Sequence, residues 1–438
     1  MDPLTLGALV GLSTIFVLFS GVSVGVGLLI VSGGFLVVFD GMRSLELMPE
    51  LFFSKLDSFA LLSIPMFIIM GSSIASTRAG ADLYEALERW LTRIPGGLVI
   101  SNLGACALFA AMSGSSPATC AAIGKMGIPE MLKRGYPEGI ATGSIAAGGT
   151  LGILIPPSVT MIVYGVATET SIGRLFLAGV FPGLLLVGLF MAWSLYATWR
   201  SGNAAVLTPR EYTWREKFEI LPRVLPFVAI IAGVLYTMYG GVATPSETAA
   251  VGAILCLLVA IVIYRLWDIR KIWMILQDST RESVMILFII AAAGVFSYML
   301  SSLSITQSIA EWIGTLDVNP WILMICVNIF LIIAGFFLPP VAVILMAAPI
   351  LLPIITTAGF DPIWFAVILT INMEIGLISP PVGLNLYVIN GIAPDISLRT
   401  ILIGSLPFVG CMLLAIVLLC FFPGIATWLP EAVMGPRF

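Results

Sequence analysis

The sequence predicts an all-α polytopic membrane protein built from two inverted-topology repeats, each with a re-entrant helical hairpin and a broken helix. Three observations lead there. The 438 residues are 59% hydrophobic and 10% charged, against roughly 45–50% and about 25% in soluble proteins. Two apolar segments, GGTLGILIPPSVTMIVYG (148–165) and NMEIGLISPPVGLNLYVIN (372–390), are each interrupted by a proline pair. Such a pair removes backbone donors and crowds the preceding turn, so neither segment can be one smooth helix. A common offset of 224 positions (156 to 380) carries Pro156-Pro157 onto Pro380-Pro381, Gly152 onto Gly376, and Pro129 onto Pro353. It also carries Ser115-Ser116 onto Pro339-Pro340. One shift that relates several landmarks is the signature of an internal repeat.

Each element follows from apolar run length, since a helical span needs ~20 apolar residues. Full spans are expected at 4–20, 22–39, 59–75, 139–164, 175–197, 224–240, 247–264, 283–300, 363–389 and 400–422. The run before each of two tips is long enough only to enter the bilayer and turn back. These are the hairpins 94–132, with its tip at SGSSPAT, and 320–353, with its tip at GFFLPPVA. Broken backbone inside hydrocarbon is tolerated only where protein buries it or a cavity hydrates it. The segment 265–282, RLWDIRKIWMILQDSTRE, reads either as a solvated connector or as an interfacial helix, and 41–57 is its shifted partner. No basic n-region precedes the first apolar run, so no cleavable signal peptide is expected.

Charge tests the inversion. Segment 77–93 holds Arg78, Arg89 and Arg93, whereas its counterpart 301–317 holds no Lys or Arg. Segment 125–138 holds Lys125, Lys133 and Arg134, and 349–362 none. Segment 265–281 holds Arg265, Arg270, Lys271 and Arg281, against Arg43 and Lys55 in 41–57. Lys and Arg favour the cytoplasmic side of short loops. Equivalent loops therefore lie on opposite faces, 198–223 is cytoplasmic, and both termini face the periplasm of a bacterial inner membrane.

The breaks carry the chemistry. A helix that ends inside the membrane presents about half a positive charge at its amide end and half a negative charge at its carbonyl end. Carbonyl ends and hydroxyls suit a small cation; amide ends suit an anion. Two cation sites are expected, one per repeat. Site one draws on Ser113, Gly114 and Ser115 with Gly152, Ile155 and Ser158. Site two draws on Gly335 with Gly376, Ser379 and Val382. The sequence has no histidine, and neutral oxygen ligands favour Na⁺ over H⁺ as the coupling ion. Ser116, Thr119 and Asn385 are the expected polar contacts of a substrate lying between the tips. Packing through side-chain amides is the competing role for Asn385 and Asn390. Glu374 and Glu247 are intramembrane carboxylates on this reading, either ion sites or structural acceptors. The six cysteines, without CxxC spacing, read as small core residues.

Taken in order, MSGSSPATCAAIG, IPPSVTMIVYG, SIGRLFLAGVFPG, GGVATPSETAAVGA and NMEIGLISPPVGLNLYVI resemble the large membrane subunit of tripartite ATP-independent periplasmic (TRAP) transporters, and the resemblance covers essentially the whole chain. It implies Na⁺-coupled, elevator-type import of a small organic acid such as a C4-dicarboxylate or sialic acid. It also implies two partners, a small four-helix membrane subunit, expected here as a separate chain, and a periplasmic substrate-binding protein. On this pattern residues 1–75 and 175–300 supply scaffold and linking helices. Residues 76–174 and 301–438 supply the moving elements, the latter with a C-terminal helix. ISPPVG stands where TPPVG is frequent in the family and retains the hydroxyl.

Two other functions are open to the sequence. A free-standing Na⁺- or H⁺-coupled carboxylate transporter would need no binding protein. An intramembrane hydrolase would use a serine of SGSS, but no histidine base exists and Lys125 lies nine residues beyond Ser116. No enzyme is expected. A phosphate-binding GxxxxGK[ST] loop is absent, which disfavours ATP hydrolysis.

Overall fold

The computed structural model describes residues 2–91, 96–202, 212–315 and 319–436. Within them the first repeat runs α1 (Pro3–Phe19), α2 (Val24–Asp40), α3 (Ser44–Leu56), α4 (Ser63–Ala75), α5 (Ala79–Leu91), α6 (Gly97–Ser113), α7 (Ser116–Lys133), α8 (Glu138–Thr150), α9 (Val159–Ala167) and α10 (Ile172–Arg200). The second runs α11 (Trp214–Tyr239), α12 (Pro245–Val262), α13 (Ile269–Ser302), α14 (Ile305–Thr315), α15 (Pro320–Phe337), α16 (Pro340–Thr357), α17 (Pro362–Leu377), α18 (Leu384–Ile392) and α19 (Leu398–Phe421), with α20 (Gly424–Met434) beyond it. Among the described residues seven helices are long and apolar enough to cross a membrane, or eight if the bent pair of α3 with the α4 segment is one span.

The 224-residue offset holds element by element, with one informative exception. In the first repeat α3 and the segment Phe59–Ala75 meet at a 61° bend, whereas the second repeat runs through the same positions as the single 34-residue α13. The segment 265–282 is thus neither a connector nor a detached interfacial helix; most of it is the opening of α13. Segments 77–93 and 301–317, expected as loops, contain the short helices α5 and α14. The C-terminal α20 packs against α10. Residues 94–95 of the first hairpin, Arg93, 203–211 of the basic loop and 316–318 lie outside the described residues.

Local chemistry sets the helix ends. Thr213 with Glu216, and Thr244 with Glu247, form capping boxes that open α11 and α12. The Asp361 carboxylate accepts from the amides of Ile363 and Trp364 at the start of α17. Glu247 therefore serves as a helix cap on an exposed turn. The amphipathic α5 packs on α6 and α11 and carries Glu88, which pairs with Arg134 at the end of α7.

Packing brings the two repeats together crosswise. Helix α7 of the first hairpin lies against α18, and α16 of the second hairpin lies against α9. Helices α2, α3 and α4 pack on α13, and α4 also on α12. Helix α8 crosses α19 at a glycine contact so close that a Cβ on Gly143 would overlap the carbonyl of Gly404. Small residues permit this approach, the usual device of helix packing in lipid.

Candidate functional site: a chamber between two tips and two breaks

Helices α6 and α7 form the first hairpin and turn over Gly114, which has φ +60°. The hydroxyls of Ser113 and Thr119 share a hydrogen bond of 2.9 Å. The Ser115 carbonyl lies within hydrogen-bond reach of both, 2.9 Å from Thr119 and 3.3 Å from Ser113, so Thr119 donates to it while Ser113 donates to Thr119. Opposite this tip, α8 ends and a 3₁₀ turn, Leu151–Ile153, leads to the cis peptide Pro156-Pro157. A Cβ on Gly152 would sit 2.8 Å from the Ser115 carbonyl, and one on Gly114 would sit 3.0 Å from the Pro157 carbonyl. Tip and break thus meet through bare backbone. Ser158 then opens α9: its hydroxyl donates to the Ile153 carbonyl at 2.5 Å and accepts from the Met161 amide at 3.3 Å. The structure brings Ser113, Gly114, Ser115 and Gly152 together and places Ser158 on the break beside them. Ile155 lies on the same break, its side chain against Gly183 of α10.

The second repeat arranges the same parts differently. A Cβ on Gly376 would overlap the carbonyl of Gly335, so these two expected ligands are in direct backbone contact. Ser379 is buried before the cis peptide Pro380-Pro381, and Gly383 (φ +53°) opens α18. Val382 is 37% exposed, with its side chain turned out of the core.

Ser116 and Asn385 are both fully buried and bonded to each other, with Asn385 Nδ2 2.8 Å from Ser116 Oγ and 3.0 Å from the Ala146 carbonyl. They tie α7 and α8 of one repeat to α18 of the other. Thr119 is bound within the first tip, as above. Asn390 donates to the Ile396 carbonyl at 3.2 Å. Glu374 has zero exposure, and neither carboxylate oxygen has a hydrogen-bond partner, so the tip amides do not hold it. Three cysteines are buried as expected, but Cys326 is exposed on α15.

Both tips and both breaks open onto one cavity of about 490 Å³. Residues 113–118 and 339–342 line it from the hairpins, with Ile153, Val159, Leu377 and Leu384 from the breaks. The first residues of α7, α9, α16 and α18 all reach it. Four helix N-termini therefore border one volume, α16 through Pro339-Pro340, which carry no amide proton, and their positive dipole ends favour an anion there without a basic side chain. The opposite wall comes from α2, α4 and α13, and includes Ser23, Ser72 and Glu282. Helix α4 comes closest at Gly71, where a Cβ would overlap the Ser113 carbonyl. These three wall residues were missed by sequence reasoning. Ser72 is one small polar residue in an apolar run, and Glu282 was counted with a connector; its spacing from Ile286 and Ile289, one helical face, was the available signal.

The chemistry of the chamber is that of holding and passing solutes. No cluster of three or more His, Cys, Asp or Glu exists among the described residues. What converges is mostly neutral oxygen and helix N-termini, with no nitrogen or sulfur donor set for a transition metal among the lining residues. These features define a polytopic membrane transport protein.

The comparisons with known proteins agree. A family model described as "Tripartite ATP-independent periplasmic transporter, DctM component" matches residues 12–425, and the chain belongs to that family. It is 39% identical over 392 residues to the C4-dicarboxylate TRAP transporter large permease protein DctM of Pseudomonas aeruginosa, covering 90% of each chain. It is 30% identical over 422 residues to the sialic acid TRAP transporter large permease protein SiaM of Vibrio cholerae, covering 95% of this chain and 97% of that protein. Among solved structures it resembles the YdaH transporter of Alcanivorax borkumensis with a TM-score of 0.67 at 16% identity, covering 97% of this chain and 100% of that one. That likeness concerns the fold alone. The protein is a multi-pass TRAP large permease component, not an enzyme.

Proposed function

We propose that the chain catalyses Na⁺-coupled import of a small organic anion across a bacterial inner membrane. A periplasmic binding protein delivers the anion, and a small membrane subunit completes the assembly. The observation that carries this reading is the single chamber shared by two hairpin tips and two helix breaks. Relatives that carry C4-dicarboxylates and sialic acid support the anion. The isethionate permease of Oleidesulfovibrio alaskensis, named DctMQ, is matched by 97% of this chain over 66% of its length, which leaves room there for a fused small subunit.

Helices α6–α9 and α15–α18 form the moving body in this proposal, with the hairpins re-entrant. Helices α1–α4 and α11–α13 form the scaffold. Na⁺ binds where each tip meets its break. Site one uses the Ser113, Gly114 and Ser115 backbone with Gly152, Ile155 and Ser158; site two uses Gly335 with Gly376, Ser379 and Val382. The bare-backbone contacts at Gly152 and Gly376 support this reading, since without a Cβ the two backbones approach closely enough for carbonyls of tip and break to share one ion. The substrate's carboxylate meets the positive ends of the helices that open onto the chamber. Because Ser116 and Asn385 bond to each other, they shape the floor between the repeats, and Thr119 supports the first tip.

The test is uptake into liposomes that hold this chain with its small subunit, with succinate and sialic acid as probes and purified binding protein outside. Uptake should require an inward Na⁺ gradient and the binding protein. Uptake indifferent to the binding protein would reveal a free-standing carboxylate transporter, and uptake driven equally by K⁺ would remove the sodium coupling.

A further inference from the structure

The chamber has two walls of opposite electrostatic character. The hairpin and broken-helix wall presents four helix N-termini and the hydroxyls of the first tip. The wall from α2, α4 and α13 presents Glu282. Among the described residues lining the cavity none is Lys or Arg, and Glu282 is the sole ionisable one. Glu282 is an exposed residue at the edge of this largely apolar space, so its carboxylate opposes a nearby anion through partial solvent screening.

We infer that Glu282 is a release residue: it opposes the charge of the bound anion in the conformation seen here, and so weakens retention on the face where the substrate must leave. This rests on the reading of the protein as an importer of an organic anion. Glu282 directly follows Arg281, the last of the four basic residues in 265–281 that mark the cytoplasmic side. Ser23 and Gly25 line the same end of the cavity from the turn after the first helix, and a Cβ on Gly25 would sit 2.5 Å from the Phe288 ring. The opposing charge therefore stands at the cytoplasmic mouth. It belongs to α13, which stays behind when the hairpins and broken helices move. In the outward position the same helix N-termini hold the anion without Glu282 against it. Affinity then differs between the two states because one charge does not travel with the substrate. A ligand can shift an equilibrium only through such a difference.

The first test needs no substrate. Ser72→Cys places a thiol in the chamber wall of the assembled transporter. Two methanethiosulfonate reagents, one bearing a sulfonate and one a trimethylammonium group, are applied to inverted membrane vesicles. The parent chain sets the background for its native thiols. The cationic reagent should react faster. Adding E282Q should raise the anionic-to-cationic rate ratio severalfold, as expected for removing one partly screened unit charge. A ratio unmoved by E282Q overturns the inference, as does labelling only from the periplasmic face. Ser23→Cys serves as the reporter if the Ser72→Cys chain does not insert.

The second test uses succinate as the probe dianion in liposomes with the small subunit and binding protein. Succinate inside should inhibit uptake at severalfold lower concentration in E282Q than in the wild type. Inhibition at the same or a higher concentration overturns the inference, the latter because it would mean that Glu282 attracts the substrate through a cationic group. Absence of Na⁺-driven uptake in the wild type would instead sink the importer reading and leave the labelling result standing.

Discussion

The two repeats share an element order but join tip to break in different ways. In the first, the tip itself touches the break: the Ser115 carbonyl faces Gly152, and the Thr119 hydroxyl and amide converge on that carbonyl. In the second, the contact lies at Gly335, four residues before Pro339, the shifted equivalent of Ser115. Four residues are about one helical turn, or roughly 5.4 Å. The second hairpin thus passes its break by a turn. Its tip is Pro339-Pro340 and offers neither hydroxyl nor amide proton where the first tip offers both. Behind it, Asn372 donates to Asn328 at 2.6 Å, where the first repeat has Gly148 and Gly104. The halves have therefore divided the work: a polar first tip suited to ligands, and a second hairpin anchored along its flank.

The largest predicted effect follows from the second contact. Gly376→Val drives a side chain into the Gly335 carbonyl and should abolish Na⁺-driven uptake; overpacking of this kind costs about 1–3 kcal/mol or more. Gly376→Ala should lower the thermal midpoint of the purified protein more than Gly152→Ala, whose new Cβ would lie 2.8 Å from its neighbour. The reverse order would erase the proposed difference between the repeats.

Next comes the cross-repeat tie. Asn385→Leu leaves the Ser116 hydroxyl and the Ala146 carbonyl short of a partner and should cost about 1–3 kcal/mol. Met161→Leu, at the equivalent position of the first repeat, should cost less than about 1.5 kcal/mol. Denaturant titration of both variants checks this, and equal losses would deny Asn385 a special role.

A smaller effect separates the two helix openings. Ser158→Ala removes the cap of α9 at a cost of about 1 kcal/mol. Val382→Ala, its counterpart, changes an exposed side chain and should stay within about 0.5 kcal/mol. Smallest of all is Glu247→Gln, which weakens one exposed cap and should leave Na⁺ dependence of uptake unchanged. A shifted Na⁺ dependence would return Glu247 to the list of ion sites.

Much of this was legible beforehand for a definite reason. Proline pairs at 156 and 380 break helices wherever they fall, so the interruptions needed no tertiary information. Gly152 and Gly376 marked close approach because an absent side chain is itself a signal. The partner of each glycine was harder, since the one-turn difference between the hairpins depends on packing against α17 and α8 and leaves no mark in a local pattern. Ser116 and Asn385 looked like substrate contacts because both are polar residues near breaks; that they satisfy each other depends on residues 269 positions apart. Glu282 was passed over because periodicity describes which residues share a helical face, not what stands opposite that face.

By itself the sequence determined that the chain is helical and membrane-spanning, that it is doubled at an offset of 224, and that each half is interrupted at a set depth. These properties follow from hydropathy, backbone donors and steric limits within a few turns of chain. The tertiary structure alone decided that the two tips and two breaks border one volume, that the repeats are stitched by Ser116 and Asn385, and that a carboxylate of α13 lines the same chamber. Those facts depend on distances between helices far apart in the chain, and such distances are set by how whole surfaces pack.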